Sequence, residues 1–381
     1  LSLSGVRVAV VFGSMSPEHE ISVITACQAM PVLTELGATV IPIYITKQGS
    51  WITDPSFTEL QPFRQRLPES GDQVSLDLGA GRFRVGSSSL LGRPRELGVD
   101  VIFPMLHGGH GEDGTLAALA ALARIPQAGS GILAGALGMD KFRSKQLLQA
   151  LGLPVVPAWL ARTPDEALSL EAQAGYPLVV KPNRSGSSIG VTLVRSEDAL
   201  GDAIELAFSV DSEVVVERAV LGAQDLNCAV KVASPRASEV ERPFKGEGVL
   251  SYEDKYVGGG GLAEKSGGPL SKAKSTSRRE LPANIPADLR SRCQELAIEA
   301  FDALGCRGAA RVDFLYSELG ELFVNEVNTL PGSLGFYLWE ASGISFQTLL
   351  EELVREGLAS APAHQLSLPG NLLAAGELLG K

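Results

Sequence analysis

Two largely apolar runs, residues 6–12 and 99–106, give way to glycine and polar residues. Each is followed by a stretch, 21–36 and 116–123, whose apolar positions recur every three or four residues. A continuous apolar run of this length marks a strand buried on both faces, and the second spacing is that of a helix with one buried side. Strand, loop and helix in that order, used twice, predict an α/β unit built on a parallel sheet, with its chemistry on loops at the carboxyl ends of the strands. Residues 13–22 and 107–115 are those loops.

The pattern weakens over residues 47–94, which are polar and punctuated by Gly, Ser and Pro and read as a peripheral insertion with little chemistry. It restarts near residues 129–131 with a helix over 141–151, a strand over 177–182 and a Gly/Ser loop. A further strand over 213–220 closes this stretch. Beyond it come a long Gly-bearing loop, a helix over 289–304 and two strands folded about a turn at 317–320. Three units follow, 1–129, 130–221 and 222–381, the last ending in an Ala/Leu/Pro-rich tail with helical potential. No repeat of solenoid length is present.

Composition narrows the class. A chain of 381 residues, 45% of them hydrophobic, can bury more than one core. The formal net charge of −11 argues against nucleic acid as a partner, because phosphate-backbone binding rests on clustered Lys and Arg. The four cysteines show no CxxC spacing, which fits free thiols in a reducing compartment. The first apolar run follows no basic cluster and is too short for a signal peptide, and no stretch has the length of a membrane span. The expectation is a cytoplasmic protein with no membrane partner.

The chemistry concentrates in the last hairpin. Arg311 and Asp313 lie on one strand and Glu326 and Asn328 on the next, each pair spaced i, i+2 and so on one face. Val312, Phe314, Phe323 and Val327 fill the opposite face, which disfavours a merely solvated surface hairpin. Two carboxylates and an amide make a hard-oxygen set suited to magnesium and nucleotide phosphate. The loop from Lys181 to Gly190, rich in Gly and Ser, could fold over phosphates, although the Walker and dinucleotide glycine patterns are both absent. Lys141, early in a helix where a cation opposes the macrodipole, hints at a ligand. Glu217, Arg218 and Val220 leave a strand where adenine could meet backbone groups, or they form a plain connector. His107 and His110 sit among glycines that deny a metal site its rigid surroundings, so a polar substrate loop is the better reading.

Taken together, Glu18-His-Glu20-Ile-Ser22, the segment 107–115, Met139-Asp-Lys141, Lys181-Pro, Ser187-Ser188, Glu253-Asp-Lys255-Tyr256, Arg311-Val-Asp313 and Glu326-Val-Asn328-Thr resemble the D-alanine:D-alanine ligase family. The motifs run in family order over roughly residues 5–355 and imply the ATP-grasp fold: a parallel-sheet domain followed by two α+β domains that sandwich ATP. The resemblance implies a ligase that joins two D-alanines through an acyl phosphate for peptidoglycan precursor synthesis. It also implies ATP, two magnesium ions that manganese could replace, and a homodimer.

By the same resemblance Glu18, Ser187, Tyr256, Arg311 and Gly332 carry the chemistry, with Glu18 on the first substrate's ammonium and Arg311 and Gly332 on the oxyanion. Lys141, Lys181, Ser188, Glu217, Arg218, Val220 and Gln224 would hold the nucleotide, and Asp313, Glu326 and Asn328 the metal. His107, Lys255, Ser333, Tyr337 and Leu338 would face the amino-acid substrates, with Lys255 and Tyr256 on a mobile lid.

Three departures stand out. Tyr337 occupies the position of a serine that helps hold the second substrate's carboxylate, Gln224 that of a ribose-binding glutamate, and the lid carries additional lysines, Lys265, Lys272 and Lys274. A ligase with a different acceptor is therefore an alternative, and a non-catalytic ATP-binding module a more distant one.

Overall fold

A computed structural model of the protein describes residues 2–86, 95–244 and 279–360. Lys255 and Tyr256, the lid with its additional lysines, and the tail beyond residue 360 lie outside the described residues.

The first sheet runs β6-β5-β4-β3-β2-β1-β7 and comprises β1 (Arg7–Gly13), β2 (Thr39–Ile45), β3 (Trp51–Thr53), β4 (Asp72–Asp77), β5 (Arg82–Val85), β6 (Arg95–Leu97) and β7 (Val101–Pro104). The expected apolar runs are its centre: β1 pairs in parallel with both β2 and β7, and its residues 8–12 are fully buried. Helix α1 (His19–Glu35) packs on this centre, and α2 (Thr115–Ala123) follows the second loop. Gly13 ends β1 with φ +95°, and a Cβ there would come 2.1 Å from Ile45 O, so only glycine lets the chain turn off the strand beside β2.

Two expectations need correction here. The sheet is parallel only at β2-β1-β7; β3 to β6 extend it by antiparallel pairing. The segment 47–94 is therefore part of the sheet rather than an appendage, and its Phe57, Phe63 and Phe83 are buried. Phe57 and Phe63 pack edge-on against Tyr44 at 5.7 and 5.1 Å. Strands of three to six residues are too short for period-two alternation to stand out from the turns between them.

The second sheet runs β10-β9-β11-β8 and is antiparallel, from β8 (Ala158–Ala161), β9 (Leu178–Pro182), β10 (Thr192–Val194) and β11 (Val214–Arg218). Before it come α3 (Ile132–Met139) and α4 (Lys141–Ala150). The sheet is backed by α5 (Pro164–Ser169), α6 (Glu171–Ala174) and α7 (Leu200–Val210) over a small core that includes Leu178, Ile204 and Val216.

The third sheet, β14-β13-β12-β15-β16, comprises β12 (Gln224–Lys231), β13 (Ala237–Pro243), β14 (Arg279–Glu280), β15 (Ala309–Tyr316) and β16 (Leu322–Asn328). Helix α8 (Ala287–Ala303) covers one face, and Leu148 and Leu153 at the end of α4 join the same core. The chain then returns to the first unit through α9 (Phe336–Ala341) and α10 (Phe346–Ala359). Trp339, Leu349, Leu350 and Leu353 complete the core of the first sheet.

All four cysteines are free and buried, and burial pushes each thiol up to about 12. A thiolate-seeking disulfide reagent at pH 8 is expected to modify none of the four in the native protein and all four after denaturation. Rapid native labelling would contradict this packing. Leu353→Ala should open the first core from its C-terminal side and cost about 2–5 kcal/mol, read as a lowered urea midpoint.

Candidate active site

The loop that leaves β1 delivers Glu18, which is 9% exposed, to the junction of the first two units. Its backbone N–H donates to Ser16 Oγ at 3.0 Å, and the Ser187 hydroxyl, from the loop after β9, donates to its carboxylate. Glycines on two loops make room for it: a Cβ on Gly108 or Gly186 would lie 2.8 or 2.7 Å from Glu18 Oε2. Ser187 and Ser188 both hold left-handed φ, 51° and 59°, a cost for non-glycine residues that the loop's anchoring sustains. The carboxylate thus ties the first substrate loop to the Gly/Ser loop across units.

His107 is buried, with both ring nitrogens beside protein groups. Its Nε2 lies 2.9 Å from Thr25 Oγ1 and its Nδ1 3.4 Å from Glu112 Oε1. Thr25 Oγ1 also accepts the Ser333 N–H at 3.1 Å, so one threonine of α1 joins the histidine loop to the turn that begins at Gly332. The Ser333 hydroxyl is engaged as well, donating to Gln28 Oε1 at 2.7 Å. Among the described residues no group of three or more His, Cys, Asp or Glu side chains is placed to hold a metal.

The residues expected to hold the nucleotide meet where β9 and β11 pair. Lys181 pairs with Val215, two residues before Glu217, so lysine and glutamate share a face of the sheet. Lys181 donates to Glu217 Oε1 at 2.6 Å, and Lys145, from α4, approaches Oε2 at 3.0 Å. Burial alone would raise the Glu217 carboxyl; the two ammonium groups outweigh it and bring it to about 2. Lys141, one helical turn before Lys145, donates to Ser185 O and lies 3.9 Å from Glu326. Arg218 and Gln224 are exposed and Val220 is half-buried, and Gln224 Oε1 accepts from Arg242 at 3.3 Å.

The hairpin gathers the four residues as expected, with Asp313 opposite Glu326 and Arg311 opposite Asn328. One correction applies to its apolar face. A bulge lets Phe314 pair with Val324, so buried Val324 takes the place expected for Phe323, which is only half-buried. The inserted residue, Asn325, shifts the alternation by one, a device that spacing alone does not reveal.

Arg311 grips both oxygens of Asp313 at 2.6 and 2.7 Å, and the Asn328 amide donates to Asp313 Oδ2 at 3.1 Å. Burial works against the guanidinium's charge, but Asp313 overcomes it and raises Arg311 well above its ordinary value. Two carboxylates and an amide oxygen suit a hard divalent cation. A cation here would share Asp313 with Arg311 and so loosen the arginine's hold.

Beside Arg311 lies a cluster not singled out from sequence. Glu241, 3% exposed on β13, accepts from the Tyr337 hydroxyl at 3.1 Å and from the Asn227 amide at 3.2 Å, and ion-pairs with Arg279 at 3.2 Å. Arg279 stacks on the Tyr337 ring, 4.2 Å from its centroid. Burial, then the Glu241 carboxylate, pushes the phenol up, so Tyr337 stays protonated and serves as a donor. Leu338 is fully buried in the first core, so its side chain faces no substrate; only its backbone could. Lys145 went unnoticed in the sequence, although its i+4 spacing from Lys141 on one helix face was a signal for it. Glu241 and Arg279 carried no such signal, because only strand pairing brings them to Tyr337.

Comparison with known proteins gives the family. A family model described as the D-ala D-ala ligase N-terminus matches residues 7–130, and one for the D-ala D-ala ligase C-terminus matches residues 147–355. A D-alanine–D-alanine ligase from Mycolicibacterium vanbaalenii is 37% identical over 93% of this chain and 97% of its own. Another, from Shouchella clausii, is 37% identical over 91% of this chain and 93% of its own. Among solved structures, the VanG D-Ala:D-Ser ligase from Enterococcus faecalis superimposes with a TM-score of 0.77 at 32% identity, covering 92% of this chain and 99% of that one. The D-alanine-D-alanine ligase from Coxiella burnetii gives a TM-score of 0.76 at 26% identity over 93% of this chain and 94% of its own. With ligases as its structural neighbours, the three-sheet architecture is the expected ATP-grasp arrangement, and the chain belongs to the D-alanine–D-alanine ligase family.

Proposed function

We propose that this protein joins two molecules of D-alanine at the expense of ATP, supplying a peptidoglycan precursor, with magnesium as its divalent ion. The observation that carries the reading is one junction holding a buried carboxylate, Glu18, a lysine–glutamate nucleotide face and the hairpin set Asp313, Glu326 and Asn328. Glu18 binds the first substrate's ammonium, and Ser187 fixes its orientation. Lys141 and Lys181 meet the phosphates under the loop bearing Ser188, and Glu217 with the backbone at Arg218 and Val220 takes the adenine. Gln224 lies toward the ribose.

The γ-phosphoryl group passes to the first D-alanine's carboxylate: a new O–P bond forms, the bridging P–O bond breaks and ADP leaves. The second D-alanine's amine then attacks the acyl carbon and sheds a proton, and phosphate departs as the C–N bond is completed. Magnesium held by Asp313, Glu326 and Asn328 would neutralise phosphate charge. Arg311 and the Gly332 N–H receive the oxyanion, and sharing Asp313, which holds Arg311, with a cation would free the arginine for that contact. His107 and Ser333 hold the walls of the amino-acid site through Thr25.

Among the described residues no helix is long and apolar enough to cross a membrane. A cytoplasmic homodimer is the assembly and location we assign. A second reading, a different acceptor, is favoured by one feature: the Tyr337 hydroxyl is committed to Glu241 and backed by Arg279.

Purified protein given ATP, magnesium and D-alanine should release ADP and phosphate in step with D-alanyl-D-alanine, followed by mass spectrometry; no dipeptide and no D-alanine-dependent ADP would sink the assignment. Asp313→Asn should lower kcat about 100-fold or more while circular dichroism stays unchanged. Competition between D-alanine, D-serine and D-lactate as acceptor separates the two readings by product ratio. Tyr337→Phe should raise the KM of the second D-alanine by less than about tenfold and leave that of ATP unmoved.

A further inference from the structure

Lys145 follows Lys141 by one turn of α4, so both side chains leave the helix on the same side. Its side chain is 4% exposed. Its ammonium meets Glu217 Oε2 at 3.0 Å off the angle of a hydrogen bond, and no acceptor completes one among the described residues. Lys181 holds the other carboxylate oxygen at 2.6 Å. Two ammonium groups share this one carboxylate in a place closed to water, and Glu326 is the next negative charge that acts on Lys145. A buried ammonium that shares its counter-charge is costly, so a phosphate oxygen taken up by one of the two lysines would relieve the competition.

The two lysines meet different oxygens of Glu217, Lys181 at Oε1 and Lys145 at Oε2. Lys181 is on β9, whose end runs directly into the Gly/Ser loop, whereas Lys145 comes from α4. If Lys181 were the sole counter-ion, turning toward a phosphate would strand a buried glutamate, and the pair would resist opening.

We propose that Lys145 is a positioning residue for the nucleotide: it stays with Glu217 as permanent counter-ion, so that Lys181 can exchange this carboxylate for phosphate. This rests on the ATP site proposed above and assigns Lys145 no contact with ATP. Lys145 sets the free energy of releasing Lys181, which a role in packing would not do.

Methionine keeps most of the lysine stem and removes the charge. Lys145→Met should raise the Kd for ADP, by calorimetry with magnesium, and the KM for ATP about tenfold or more, with the KM for D-alanine within about twofold. In a Glu217→Gln background, where no carboxylate needs holding, adding Lys145→Met should change the ADP Kd less than about twofold. A folded Lys145→Met protein with parental ADP affinity overturns the proposal, and so does a tenfold loss that persists with Glu217→Gln. Should Lys145→Met fail to fold, the double variant must fold, since it removes charge and counter-charge together; its failure to fold would assign the lysine to packing and end the proposal. A parent protein that binds no ADP and shows no turnover refutes the ATP site itself, before any substitution is made.

Discussion

Buried charge is the constraint on which the structure turns. Glu18, Glu217, Lys145 and Lys181 are each at most 9% exposed, and the side chains of Arg311 and Asp313, paired with each other, are 20% and 15% exposed. Isolated, any of these groups would cost several kcal/mol to bury. Each is instead delivered with a partner by an element whose apolar face anchors it. The face of β11 that carries Glu217 follows three fully buried valines, 214–216, and β15 carries Asp313 between fully buried Val312 and Phe314. The hydrophobic cores stabilise the fold, and they also set carboxylates and cations at hydrogen-bonding distance where water cannot screen them. The same desolvation that makes such groups expensive makes them responsive to a charged ligand.

Three cores supply these anchors, and the chain visits them out of order. After β16 it returns to the first sheet, where Trp339, Leu349, Leu350 and Leu353 pack with β1 and β7. The turn that begins at Gly332 lies on this return path, pinned by Thr25 of α1, the residue that also touches His107. The Gly332 turn is therefore held between the third sheet and the first unit. Ser187 on Glu18 supplies the matching tie from the second unit. Every pair of units is bridged through a residue within the site, so a shift between units changes site geometry directly.

How much of this could be read in advance depended on whether the signal was local. The runs that became β1, β7, β9 and β11 and the helices α1, α2, α4 and α8 were legible because periodicity is a local property. The hairpin was legible in part for the same reason, since i, i+2 spacing puts each couple on one strand face about the turn at 317–320, but it is the bulge at Asn325 that brings Glu326 opposite Asp313. Non-local pairing was not. The short strands of the segment 47–94 gain their order from each other and from β2, the bulge at Asn325 exchanges Phe323 for Val324, and Leu338 turns into a core built mostly by residues three hundred positions earlier.

The acceptor side shows how such non-local contacts bear on specificity. A tyrosine in place of a small hydroxyl residue reads, from sequence, as a bulky donor aimed at substrate. In the fold its hydroxyl is spent on Glu241, its ring lies under Arg279, and Glu241 is further held by Asn227. The group that changes at this position is thus a network of a phenol, a carboxylate, an amide and a guanidinium bordering Arg311. On the acceptor placement proposed above, a carboxylate entering here would meet a guanidinium whose charge Glu241 already offsets. Its binding would then depend on how Arg279 divides between the two carboxylates, a competition that substituting Tyr337 alone perturbs only indirectly.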